Sequence, residues 1–155
     1  MERRGHMQYF KNKKLKKELT KLTDEELIAS FRICMILFYL ESNDGLYKAI
    51  QTVLAEIHSR GGECGKLLIE EMEILCENGI ITSFFVLQET ICYELCKVDI
   101  MEVLQCQIRT NNLRSWIKFS YAKNLSSEIS KRITDADVDK IEERLREAYS
   151  TMSPL

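Results

Sequence analysis

The sequence predicts an all-α protein, a single-domain bundle of six to eight helices around two very apolar central helices, residues 27–40 and 84–98. Three observations carry this. The stretch Leu27 to Leu40 holds one charge, Arg32, and places apolar residues on every face of a helix, the pattern of a helix surrounded by others. One proline and six glycines in 155 residues leave few breakers for the many turns of an all-β design. A chain of this length buries about 70% of its unfolded surface and folds without metal or disulfide staples.

Residues 1 to 7 carry no pattern, and their Gly-His-Met junction before a second possible start at Met7 resembles a vector-derived leader. They are expected to be disordered and stand outside the fold, as does a short tail at 151–155. Over residues 8 to 22, Phe10, Leu15, Leu19 and Leu22 recur near helical spacing among lysines, so a basic amphipathic arm is expected to rest its apolar edge on a bundle spanning 23–150.

Thr23 with Glu26 forms a capping box that starts the first central helix. At fourteen residues, flanked by Glu25, Glu26 and Glu41, that helix falls short of the roughly 20 needed to span a bilayer. Ser42 to Gly45 is a turn cluster. The next helix is expected over 46–58, with Leu46, Ile50, Val53, Leu54 and Ile57 on one face and Gly61 and Gly62 as its stop.

A further helix over 66–77 directs Leu67, Leu68, Met72 and Leu75 inward and Glu70, Glu71 and Glu73 outward, with Asn78 and Gly79 as its C-terminal stop. Thr82 or Ser83 caps the second apolar segment, 84–98, expected to lie beside 27–40. Asp99 with Glu102 starts a helix over 100–109 closed by Asn111 and Asn112. The piece 113–123 fits a helix or an extended segment, and helix is favoured. Thr134 with Asp137 opens a charged helix whose Val138, Ile141, Leu145 and Ala148 form one docking stripe. No internal repeat is present, and no family signature is recognised.

Six scattered cysteines are too few for a disulfide scaffold, and the absence of a cleavable apolar leader points to a reducing, cytoplasmic setting. The net charge of −2 conceals a division. Residues 1 to 22 carry eight Lys and Arg against two Glu, or +6, which leaves −8 for the remainder.

Each chemical constellation meets a plainer alternative. Cys92 and Cys96 share a helix face, but a zinc site wants short-spaced Cys or His pairs with a second pair elsewhere, and no metal or other cofactor is expected. His58 and Cys64 are the one place where a thiol and an imidazole base are locally imaginable, so a cysteine-dependent enzyme is the third reading. A histidine near a helix C-terminus more commonly complements the helix dipole. The glycines at 61, 62 and 65 lack the Lys-Ser/Thr of a phosphate loop. Residues 125–145 imitate a helix-turn-helix, but the would-be reading helix opens with Asp135, Asp137 and Asp139, which phosphate repels.

What remains is binding. The expectation is a non-enzymatic regulator or adaptor whose acidic body, through Glu70, Glu71 and Glu73 and the 135–147 helix, takes a basic protein partner. The alternative is a nucleic-acid-associated regulator, or one with an acidic partner, using Lys11, Lys13, Lys14, Lys16 and Lys17. Arg32, a lone charge in an apolar helix, is expected to form a buried ion pair with a carboxylate from a neighbouring helix.

Overall fold

The computed structural model describes residues 13 to 152, and every regular element among them is helical. Residues 1–7 with His6, the part of the arm over 8–12 with Tyr9, Phe10 and Lys11, and residues 153–155 of the expected tail lie outside the described residues. After a first helical segment, α1, over 13–19 come α2 (Asp24–Leu40), α3 (Asp44–Arg60), α4 (Gly62–Glu77), α5 (Ser83–Cys96), α6 (Ile100–Arg109), α7 (Leu113–Asn124), α8 (Ser127–Ser130) and α9 (Asp135–Met152). Among the described residues no helix is long and apolar enough to cross a membrane.

The core is gathered in two places. Contacts form two compact units, Met1–Ile81 and Thr82–Leu155, so the two apolar helices belong to different units.

In the first unit α2, α3 and α4 each pack on the other two. The Thr23 box closes with both bonds: Glu26 N donates to Thr23 Oγ1 at 3.2 Å and Thr23 N to Glu26 Oε1 at 2.9 Å. Leu46 N donates to Asn43 Oδ1 at 2.8 Å, so α3 begins at Asp44, inside the expected turn cluster. Gly61, at φ 59° and ψ −151°, is the whole joint between α3 and α4. That conformation is open essentially to glycine alone. The reversal is complete in one residue, so α4 starts at Gly62, four residues before the expected Lys66. At its far end Gly79 N donates to the Cys76 carbonyl and Ile80 N to that of Leu75, a Schellman closure requiring the positive φ of Gly79. Phe31, Ile57, Leu68 and Met72 are fully buried in this unit.

In the second unit α7 is the hub. It packs on α5, α6, α8 and α9, and with Leu113 and Ile117 it joins Leu87, Ile91, Leu95, Leu104, Val138 and Ile141 in one buried cluster. The ambiguous piece 113–123 is therefore a helix, and the central one; α5 is its neighbour. Thr82, Asp99 and Thr134 cap α5, α6 and α9, the last through a reciprocal box with Asp137. Asn111 closes α6 at φ 59°, a left-handed position that asparagine tolerates.

Ile117 is fully buried at this hub, so Ile117→Ala should cost about 2–5 kcal/mol. Urea unfolding followed by circular dichroism would measure the loss, and a change under about 0.5 kcal/mol, the usual range for surface substitutions, would contradict the central placement of α7.

Candidate functional site

Geometry separates the three carboxylates grouped by the sequence. Glu70 is exposed and Glu73 half-buried, whereas Glu71 turns inward and is 6% exposed. The outward placing of Glu71 is corrected, and the reason is Arg32: its Nη2 donates to Glu71 Oε1 at 2.6 Å across α2 and α4. The pair is lopsided, with side-chain exposures of 47% for Arg32 and 7% for Glu71. The expected buried guanidinium lies at the surface, and the carboxylate is the buried member. The hydrogen bond from Arg32, followed by its Coulomb attraction, holds the guanidinium above its ordinary pKa.

The second correction concerns α2 itself. Leu27, Ile28, Phe31 and Met35 are buried, but Ile33, Ile36, Leu37, Tyr39 and Leu40 are exposed, Ile33 at 57% and Leu40 at 72%. At 3.6 residues per turn Ile33, Ile36, Leu37 and Leu40 fall within an arc of about 100°, opposite the buried residues. The helix is apolar all round because it has two apolar faces, one turned inward and one to solvent. Glu26 and Glu41, both exposed, bracket the outward strip. The backbone N–H and hydroxyl of Thr23 hold the Glu26 carboxyl below its ordinary pKa, so it is an anion at neutral pH.

Charge is distributed unevenly within the first unit, whose residues 1–22 carry +6 against −7 on residues 23–81, so that each unit taken whole is net −1. Residues 23–81 hold eleven Asp and Glu against four Lys and Arg, net −7, and residues 82–155 eleven against ten, net −1. Three of those four cations are spent inside the first unit: Arg32 on Glu71, Lys66 on Glu63, and Arg60 on Glu56 and Asp24. Part of the acidic face expected over 135–147 is ion-paired in place, while Glu143 and Glu147 stand exposed. Arg114 of α7 meets Asp135 and Glu142 at 3.5 Å and also pairs with Asp139, and Arg146 meets Glu142 at 3.0 Å.

Of the lysine arm, Lys13, Lys14, Lys16 and Lys17 are exposed on α1. Leu19 of the same segment is buried, and its carbonyl accepts from Arg60 Nη2 at 2.8 Å. The arm is thus tied into the fold, and removing residues 1–22 would strip part of it.

Cys64 is buried. Burial, followed by the negative charge of Asp24, pushes its thiol up to about 11 against the opposing pull of Arg60. At neutral pH it is S–H, whereas a nucleophile needs the thiolate. Burial likewise pushes Cys92 up to about 12. Among the described residues no three His, Cys, Asp or Glu side chains converge to hold a metal ion.

Comparison with protein-family models, with curated proteins and with solved structures finds no match to this chain.

Arg32→Met leaves the Glu71 carboxylate buried without its cation and should cost about 1–3 kcal/mol, while the Arg32→Met/Glu71→Met double variant regains most of the loss. Equal stabilities for wild type and single variant would show that the pair contributes nothing. The thiol of Cys64 ionises more readily when unfolded, so its contribution to stability is intact below pH about 9 and is lost as pH rises through about 11. Cys64→Ala should remove that part of the alkaline decline, and an unchanged decline would place its origin elsewhere.

Proposed function

We propose that this protein is a non-enzymatic regulator or adaptor that acts by protein–protein interaction, its acidic stretch over residues 23–81 taking a basic protein partner. The observation that supports this reading is the concentration of net −7 on residues 23–81 with three of the four cations there already ion-paired. Such a field steers cationic surfaces inward and repels phosphate. Glu70, with Glu73 beside it on α4, presents that charge to solvent, whereas Glu71 serves Arg32 and is withdrawn from the surface.

The second reading, a nucleic-acid-associated regulator, draws on Lys14, Lys16 and Lys17, all exposed on α1, because lysines supply phosphate contacts. The reading as a cysteine enzyme at Cys64 and His58 is weakened by the raised thiol, whose strongest charged neighbours are Asp24 and Arg60.

The test uses the full-length chain, tagged and immobilised, with source-cell extract passed over it and bound proteins released by stepwise salt. A basic protein should be retained at low salt, and Glu70→Lys/Glu73→Lys should reduce its recovery about tenfold. Retention untouched by that variant, together with a gel shift of a 30-nucleotide RNA or DNA probe that weakens steeply with salt and disappears in Lys14→Gln/Lys16→Gln/Lys17→Gln, would instead establish the arm as the binding element.

A further inference from the structure

We infer that the outward apolar strip of α2 docks a basic amphipathic helix of a partner protein, its apolar stripe laid along Ile33, Ile36, Leu37 and Leu40 and its cationic residues meeting Glu26 and Glu41. The inference rests on the proposed reading of a basic partner and adds the surface and the shape of what binds there.

Spacing supplies the first part of the argument. The four residues stand at i, i+3, i+4 and i+7, the ridge that one helix offers to the groove of another, and all four are exposed. Monomeric proteins seldom leave contiguous apolar surface of this kind uncovered without an interaction to cover it. Tyr39, 58% exposed on the flank, adds an amphipathic ring of the sort enriched at interfaces.

Charge supplies the second part and selects the occupant. The strip is closed at its N-terminal end by Glu26 and at its C-terminal end by Glu41, fifteen residues and so about 22 Å apart along the helix axis. Arg32, the only cation on α2, is engaged by Glu71. An occupant therefore meets apolar side chains in the middle and carboxylates at both ends. A helix carrying lysine or arginine beyond each end of its own apolar stripe matches this pattern. A second copy laid along the strip brings its own Glu26 and Glu41 to ends already marked by carboxylates, which like-charge repulsion disfavours.

The experiment uses the full chain and three fluorescent eighteen-residue peptides, read by anisotropy. The first is leucine and lysine patterned as an amphipathic helix, the second the same composition scrambled so that no face is apolar, and the third the first pattern with glutamate for lysine. The patterned lysine peptide should bind at least tenfold more tightly than either control. Ile33→Ser/Leu37→Ser, two exposed positions, should weaken it at least tenfold with an unchanged circular dichroism spectrum. If the scrambled peptide binds as well and the variant keeps full affinity, charge alone acts: the docking strip is overturned while the basic-partner reading survives. If the glutamate peptide binds as well as the lysine peptide, the basic-partner reading falls and this occupant with it. A full chain that sediments as a dimer, and as a monomer in the Ile33→Ser/Leu37→Ser variant, would make a second copy the occupant and overturn the inference.

Discussion

The guanidinium of Arg60 is the constraint on which the first unit depends. From the last turn of α3 it donates to Glu56 Oε2 at 2.9 Å, to Asp24 Oδ1 at 3.0 Å and to the Leu19 carbonyl at 2.8 Å. One planar cation thereby joins α3 to the first turn of α2 and to the end of α1, a geometry that the branched fork of arginine permits and the single point charge of lysine does not. Gly61 turns the chain immediately afterwards, so α4 leaves from the place where the other three segments are tied. Cys64 sits one turn into α4 and feels Asp24 and Arg60 together. The feature that looks chemical in the sequence, a thiol near a histidine and two glycines, is here part of a structural joint.

The legible parts of the chain were those governed by local chemistry. Thr23 with Glu26, Thr134 with Asp137, Asp99, Thr82, Gly79 and Asn111 all mark helix ends where their side chains or backbone freedom are needed, and each does so through bonds within a few residues. What was not legible depends on tertiary arrangement. Apolar residues on every side of a helix fit both complete burial and a helix with one face to solvent, and only packing separates the two for α2. Segment 113–123 carried too few turns to reveal its period, yet Leu113 and Ile117 centre the second core. Glu71 could not be told from Glu70 and Glu73 by composition, since its orientation follows from Arg32 on another helix.

The candidate surface was half visible. Net charge by segment was readable, but the pairing that offsets part of it was not: Arg114 lies about twenty residues before the acidic helix, three of whose carboxylates it meets. Lys140 and Arg144 of that same helix lie over the Phe84 ring at 5.0 Å, so part of its positive charge serves packing. The stretch with the larger excess of carboxylates is 23–81, and the apolar strip lies on α2 within it. The clue within the sequence was the bracketing of 27–40 by Glu25, Glu26 and Glu41, which marks helix ends and borders the strip as well.

The three helices of the first unit follow one another in the chain and pack on one another across connections as short as the single residue Gly61. Contacts of this kind close small loops, and loop closure is the entropic step that slows folding. The packing of α2, α3 and α4 on one another has the arrangement of a rapid folder. An apolar strip is thus displayed by a unit closed through local contacts, and Glu26 and Glu41 at its two ends set the charge that anything approaching it meets first.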